Sequence, residues 1–409
     1  MALKPLAGKQ IVLGVSGSIA AYKAVDLASK LTQLGASVEA VLTPSATRFV
    51  SPLSFSSITG QPAYTDDDLW GAQAHVLHIG LGQRADLLAI APATAGTMAR
   101  LAGGMADNLL ALTALAARCP VLVAPAMDAG MFGHPATQAN LRTLRERSVT
   151  VVGPEEGRLA SGLVARGRMT EPAEIVGHIR YLLSRSGPLR GRTVLVTAGG
   201  TQEPIDPVRF ITNRSSGKQG LTLAQAALDA GAEVVLVATP AVGSAPVGAR
   251  QVTVGTAAEM AGAVLAECRQ ADALIMAAAV ADFRPAHHAE HKLKKRRGVP
   301  VLELEATVDV LSAVKEQRRE TGRPRLVIGF AAETEDLLAN ARVKLERKAM
   351  DLIVANDVSA TDAGFGVDTN RVTLLTAAGD AEALPLLPKE EVARHIVERV
   401  IDLLAGGTR

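Results

Sequence analysis

Gln10-Ile11-Val12-Leu13-Gly14-Val15 is followed by Ser16-Gly17-Ser18, and then by a helical pattern from Ile19 to Leu34. Gln10–Val15 is mostly apolar and rich in β-branched residues, as a strand buried on both faces must be. Gly35-Ala36 ends the helix, and Ser37–Leu42 reads as the next strand. Strand, Gly/Ser turn, helix, strand is one right-handed βαβ unit. The same grammar restarts at Arg192. Thr193–Thr197 is a strand, Ala198-Gly199-Gly200-Thr201 follows it, and a long polar loop runs to Gly220. A helix then reaches Ala230, and Gly231-Ala232 precedes the strand Glu233–Ala238. Two restarts of one unit imply two α/β domains.

Between them, Ile175, Val176, Ile179, Leu182 and Leu183 recur at helical spacing, which predicts an amphipathic helix over Glu171–Arg185. Ser186-Gly187-Pro188 breaks it, so the boundary falls near residue 188. Further strands are expected at Leu87–Ile90, Val121–Ala124, Val149–Val152, Ala273–Ala277, Leu326–Gly329 and Leu352–Val354. Their alternation with helices predicts two mostly parallel, Rossmann-like sheets, over 1–188 and 189–409, each with helices on both faces.

The composition agrees. Of 409 residues 48% are apolar but only 3% aromatic, so the cores must be built from Ala, Val, Leu and Ile. A net charge of +2 leaves no footprint for nucleic acid or an acidic membrane surface. Cys119 and Cys268 offer no disulfide framework and read as inert thiols in a reducing compartment. The opening residues lack the apolar core and cleavage site of a signal peptide, and no stretch has the roughly 20 apolar residues of a membrane span. A cytoplasmic enzyme is expected.

A Gly/Ser turn opening a helix presents free N–H groups and the positive end of the helix dipole, so Ser16-Gly17-Ser18 predicts a phosphate cradle. The spacing is Gly-x-x-Gly, and the next strand ends Leu42-Thr43-Pro44-Ser45 without a carboxylate for an adenosine ribose. A mononucleotide therefore fits better than a dinucleotide. Thr43 and Ser45 end a strand on the side where α/β folds place ligands. Pro92, Ala93 and Thr94 do the same, and their small side chains would let a flat ring approach, although an ordinary strand-to-helix turn looks alike.

In the second half, Asn213-Arg214-Ser215-Ser216-Gly217-Lys218 closes a long polar insertion at a helix start, where Ser215 to Gly217 could donate to an anion. It is not a P-loop, since Gly-x4-Gly-Lys-Ser/Thr is missing. Ala277-Ala278-Ala279-Val280-Ala281-Asp282 is a strand end running into a carboxylate. From Lys292 to Arg297 there are five cations in six residues, a solvated loop by default and a triphosphate clamp beside a nucleotide. His287, His288 and His291 cluster without any metal-motif spacing. Lys344 and Lys348 share a helix face.

Resemblance sharpens both halves. Gly17-Ser18-Ile19-Ala20-Ala21-Tyr22-Lys23, His78-Ile79-Gly80-Leu81-Gly82, the Ala91–Thr94 turn, Ala106-Asp107-Asn108-Leu109-Leu110, Pro125-Ala126-Met127 and Gly167-Arg168-Met169 resemble the homo-oligomeric flavin-containing cysteine decarboxylases, over residues 8–185. The resemblance implies FMN bound between subunits of a trimer and a catalytic His78. Loss of carboxylate from an N-acyl cysteine leaves a carbanion without an electron sink. Oxidation of CH2–SH by the flavin supplies one, and return of the hydride gives the saturated thiol. Histidine ordinarily titrates near neutrality, which suits a base. Two positions depart from the family pattern. Asp128 stands where many members have Asn contacting the substrate carboxylate, and an ionised Asp would repel that group. Ser161 stands where many bacterial bifunctional members have a Cys proton donor. The pair reads as a co-adapted site.

Residues 190–403 resemble the phosphopantothenoylcysteine synthetase domain. That resemblance implies a dimeric, Mg2+-dependent ligase that uses CTP to join 4'-phosphopantothenate to cysteine through an acyl-cytidylate. It places Asn213 at the acyl-cytidylate. Ala277, Ala278, Asp282 and Phe330 would line the cytidine pocket, and Lys292, Lys344 and Lys348 would contact phosphates, with Lys294 a further candidate. The ligase product is the decarboxylase substrate, so the fusion implies coenzyme A synthesis, with trimeric and dimeric contacts closing a particle such as a dodecamer. Three other readings fit parts of the sequence: an oxidative decarboxylase stopping at the enethiol, a prenyl-flavin type transferase, and a non-enzymatic flavin-binding subunit.

Overall fold

The structure is a computed structural model that describes residues 6–70, 77–294, 301–333, 337–357 and 366–406. His75, Lys295, Arg296, Arg297 and Thr334 lie outside the described residues. The chain separates into two compact units, Met1–Leu183 and Ser184–Arg409.

Unit 1 runs β1 (Gln10–Val15), α1 (Ala21–Gln33), β2 (Ser37–Leu42), α2 (Pro52–Thr59), β3 (Ala63–Tyr64), α3 (Leu77–Arg84), β4 (Leu87–Ala93), α4 (Ala95–Gly103), α5 (Leu109–Ala116), β5 (Val121–Pro125), α6 (Ala129–Gly133), α7 (Pro135–Glu146), β6 (Thr150–Val151), β7 (Glu155–Arg158), β8 (Val164–Arg168) and α8 (Pro172–Ser184). β1 to β6 form one all-parallel sheet in the order β3-β2-β1-β4-β5-β6. Side chains alternate across a strand, so Ile11, Leu13 and Val15 enter one core with Leu27, Leu31 and Ile179, while Val12 enters another with Leu81, Met98 and Leu110. Two buried faces explain the near-continuous apolar strands. Each fully buried Leu or Val contributes roughly 1.5–3 kcal/mol. Thr94 and Asn108 cap α4 and α5 through side-chain oxygens, which fixes where those helices start.

Unit 2 runs β9 (Thr193–Ala198), β10 (Gln202–Pro204), β11 (Phe210–Thr212), α9 (Lys218–Asp229), β12 (Glu233–Ala238), β13 (Ala249–Thr253), α10 (Ala257–Cys268), β14 (Ala273–Met276), β15 (Phe283–Pro285), β16 (Leu304–Ala306), α11 (Val310–Thr321), β17 (Leu326–Glu333), α12 (Leu337–Arg347), β18 (Leu352–Asp357), β19 (Thr369–Asn370), β20 (Val372–Thr376), β21 (Ala381–Ala383), β22 (Leu387–Pro388) and α13 (Lys389–Leu404). Its sheet order is β13-β12-β9-β14-β17-β18-β20-β21, parallel as far as β18 and antiparallel beyond. The α/β class and mostly parallel sheets agree with expectation.

The differences are local. The polar loop expected up to Gly220 contains a small hairpin, β10 with β11. No alternation announces it, because a polar residue organises its turn. Asp206 is buried and accepts N–H bonds from Val208, Arg209 and, from a distant loop, Leu293. The hairpins β7–β8 and β15–β16 are likewise antiparallel additions outside the main sheets.

Candidate active sites

Unit 1 has a cavity of about 750 Å³ where α1 begins, lined by Gly17, Ser18, Tyr22, Lys23, Thr94, Met127, Asp128, Arg158, Ser161 and Arg168 among others. Thr94, Asp128 and the β1–α1 turn sit beyond the carboxyl ends of β4, β5 and β1, the place where open α/β sheets bind ligands. Gly17 must be glycine, because a Cβ there would lie 2.4 Å from Ser45 Cβ. The turn therefore touches the end of β2 and leaves the helix mouth open. Ser18 Oγ accepts from Ala20 N at 3.2 Å. Ser16 is not a phosphate donor: it is buried, its hydroxyl donates to Pro92 O at 2.7 Å, and it accepts from Thr94 N at 2.9 Å. It ties the ends of β1 and β4 together.

Of the other expected cofactor contacts, Thr94 lines the cavity. Thr43 is buried and accepts from Ala46 N, and Ser45 packs against Gly17. Pro92 and Ala93 form the strand end beneath the turn.

Asp128 and Ser161 come together. The hairpin β7–β8 lies against the β5–α6 turn, with Met127 N donating to Gly167 O at 3.0 Å. A Cβ on Gly167 would sit 2.2 Å from Met127 O, so the close approach needs glycine. Ser161, at the hairpin tip, donates its hydroxyl to Asp128 Oδ2 at 2.8 Å, and Gly130 N donates to Oδ1 at 3.0 Å. The Ser161 bond first, and then the Gly130 N–H, hold the Asp128 carboxyl below its ordinary range. Asp128 is therefore an acceptor, and it takes an amide N–H and a hydroxyl.

His78 is elsewhere. It lies on the first turn of α3, beside buried Leu77 and Leu81, and does not line this cavity. Its Nδ1 is buried without a hydrogen-bond partner among the described residues.

Unit 2 has a cavity of about 460 Å³ at the carboxyl ends of β9, β14, β17 and β18. Asn213, Ala277, Ala278, Asp282, Phe330 and Lys344 all line it, as do the residues at the mouth of α9. Asn213 Nδ2 donates to the carbonyls of Ala279 and Val280, at 3.3 and 3.1 Å. Thr197 and Thr201 accept from Ala278 N and Ala281 N, and Thr307 donates to Ala281 O. Those threonines hold the alanine turn in shape, a role that composition alone did not single out. Asn356 is buried at the end of β18 and, with Lys389, also lines the cavity. Lys292 does not line it in this structure, although Leu293 beside it is fixed by Asp206 and by Arg209, which donates to Leu293 O. Lys348 is bound to Asp309 and Ser312. Burial lowers its ammonium from the ordinary lysine range. Among the described residues, no three His, Cys, Asp or Glu groups gather to hold a metal ion, and no helix is long and apolar enough to cross a membrane.

Residues 2–184 match the family described as Flavoprotein, and residues 189–404 match the DNA/pantothenate metabolism flavoprotein C-terminal domain. The coenzyme A biosynthesis bifunctional protein CoaBC of Bacillus subtilis is 44% identical over 401 residues, covering 97% of this chain and 98% of that protein. The chain belongs to this family. The CoaBC protein of Mycobacterium tuberculosis (strain H37Rv) is 46% identical over 410 residues, covering 97% of each chain. The solved C-terminal domain of a CoaBC protein is 40% identical with a TM-score of 0.46, and covers 54% of this chain and all of that one. Like its family, the chain is a bifunctional enzyme of coenzyme A biosynthesis with ligase and decarboxylase activities. The reading that stops at the enethiol is not favoured.

Proposed function

We propose that residues 1–188 carry an FMN-dependent phosphopantothenoylcysteine decarboxylase, and residues 189–409 a CTP-dependent phosphopantothenate–cysteine ligase. The observation behind this division is that each unit has its own cavity at the carboxyl ends of its own parallel sheet, lined by Ser18, Thr94, Asp128 and Ser161 in unit 1 and by Asn213, Asp282, Phe330 and Lys344 in unit 2, while His78, Lys292 and Lys348 lie outside them.

In unit 1 the donor set suits a flavin phosphate: an open helix mouth and Ser18, on a turn that Gly17 lets sit against Ser45. Bound FMN would supply a reversible hydride acceptor, and hence the electron sink that decarboxylation needs. His78 is the base for the oxidising step. Because it lies outside its own chain's cavity, it acts in the cavity of a neighbouring copy, in keeping with a trimeric arrangement. Asp128 orients Ser161, and the hairpin tip screens the reacting thiol from water.

In unit 2 the carboxylate of 4'-phosphopantothenate attacks the α-phosphorus of CTP and pyrophosphate leaves. The amine of cysteine then attacks the acyl-cytidylate and CMP leaves. The alanine turn, Asp282 and Phe330 hold the cytidine. Lys344, Lys348 and Lys292 answer the phosphate charge, Lys348 by exchanging Asp309 for a phosphate oxygen. Asn213, fixed through its Nδ2, keeps Oδ1 as an acceptor for the amine that attacks the acyl-cytidylate. Mg2+ would be held chiefly by the substrate phosphates, which it usually shares with only one or two carboxylates. Dimeric contacts between ligase units would then build a larger particle such as a dodecamer, and a monomer by light scattering would exclude it.

Mass spectrometry of the products from 4'-phosphopantothenate, cysteine, CTP and Mg2+ tests the whole reading. Saturated phosphopantetheine is expected. Accumulated phosphopantothenoylcysteine, or a product two hydrogens short of phosphopantetheine, would overturn the assignment of unit 1.

A further inference from the structure

The unit 1 cavity has to accept a substrate bearing two oxyanions, a phosphate and a carboxylate, yet it already contains the ionised Asp128. Three cations line it: Lys23, Arg158 and Arg168. Two are already answered. Lys23 Nζ is buried, donating to Glu171 Oε1 at 2.8 Å and to Met169 O at 3.1 Å. Arg168 also bonds Glu171, whose carboxyl is held below its ordinary range first by the Lys23 hydrogen bond and then by the nearby charges. Arg158 is different. It ends β7, three residues before Ser161, and its side chain is exposed to the cavity. No hydrogen bond or ion pair holds its guanidinium among the described residues.

We infer that Arg158 is the oxyanion-binding residue of this cavity, a specificity determinant that grips the incoming substrate. The inference rests on the reading of unit 1 as the decarboxylase. A guanidinium fork matches the two oxygens of a carboxylate or phosphate, and such charge-assisted pairs are roughly twice as strong as neutral hydrogen bonds. Its place on the strand that leads to Ser161 links the two: a substrate anion bound by Arg158 draws the hairpin onto the ligand, and Ser161 with it. Asp128 cannot take that role, because an ionised carboxylate only accepts hydrogen bonds, as it does from Gly130 and Ser161, and repels a second anion.

The test uses the full-length, flavin-loaded enzyme with phosphopantothenoylcysteine and with its dephospho analogue. R158Q is expected to raise KM about ten- to a hundredfold with kcat changed only a few-fold, and R158K to recover part of the loss. If the phosphate is the anion held, the wild-type preference for the phosphorylated substrate collapses in R158Q. If the carboxylate is held, KM rises equally for both substrates. An unchanged KM for both substrates would overturn the inference. So would a loss of FMN affinity, measured by flavin fluorescence, that accounts for the whole effect, since Arg158 would then hold the cofactor's phosphate. A wild-type protein without decarboxylase activity would instead remove the reading beneath it, before any variant is compared.

Discussion

At their amino-terminal edges the two sheets are held in the same way, and at their carboxyl-terminal edges they differ. Asp86, just before β4, accepts from Gln10 N at 2.8 Å and pairs with Lys9. Asp272, just before β14, accepts from Thr193 N at 3.0 Å and pairs with Arg192 and Arg323. Each carboxylate ties the start of its strand to the start of the unit's first strand. At the other edge, unit 1 closes its first turn within a few residues, while unit 2 inserts a hairpin and a long polar loop. The unit 2 cavity thus gathers Asn213, the alanine turn, Phe330 and Lys344 from one chain. The unit 1 cavity lacks His78. The fold is repeated where it carries load, and varied where it meets ligand.

The comparison breaks most readily at His78. His78→Asn should lower decarboxylation about 10²- to 10⁴-fold, the usual contribution of a general base, while leaving pyrophosphate release intact. Gly17→Ala, which crowds Ser45, should lose flavin. Co-expression of the two defective chains should restore part of the activity, because one copy supplies the histidine and the other an intact cavity. No rescue in isolated mixed oligomers would place His78 in its own chain's site and erase the contrast between the units.

Asn213 offers the reverse test. Asn213→Ala should slow CTP-dependent ligation about 10²-fold, comparable with loss of one preorganised polar group in an active site. Decarboxylation of supplied phosphopantothenoylcysteine should be unchanged, and mixing with another ligase-defective chain altered at Phe330 should give no more than additive activity. Rescue there would mean that the ligase cavity, too, is shared.

How much of this was legible depends on what fixes each part. The strands were readable because both faces are buried, so Ile11 to Leu13 and Val194 to Val196 had to be apolar. The Gly17 turn was readable because only glycine fits there. Ser16 misled, since a serine beside such a turn looks like a phosphate ligand until its hydroxyl is seen to bridge β1 and β4. The β10–β11 hairpin was hidden because buried Asp206 holds it, and one polar residue makes no pattern. Arg158 gives no signal in the sequence for a related reason. An arginine in a strand has the look of solubility charge, and only the pairing of Lys23 and Arg168 with Glu171 makes it stand apart. That Asp128 and Ser161 both depart from the family pattern was visible, but that the one bonds the other needed coordinates.

The smallest expected effect concerns the edge that the units share. Asp272 is 8% exposed at its side chain and Asp86 36%. Asp272→Asn should cost unit 2 about 1–3 kcal/mol, because two arginines lose a buried partner, and Asp86→Asn should cost unit 1 less, as partly exposed pairs do. The pH dependence separates the cause from simple packing. Burial alone would raise the Asp272 carboxyl. The N–H of Thr193 and the charges of Arg323 and Arg192 outweigh it and hold the carboxyl below its ordinary 3.8. A group whose folded value is depressed stabilises the fold above its unfolded value, and loses that contribution as the pH falls through the folded one. Thermal unfolding of the wild type should therefore lose this increment only below about pH 4, and the Asp272→Asn variant should be closer to its parent at pH 3 than at pH 7. A gap of constant size across that range would mean that the amide fails for reasons of shape, and that the shared clamp is not electrostatic.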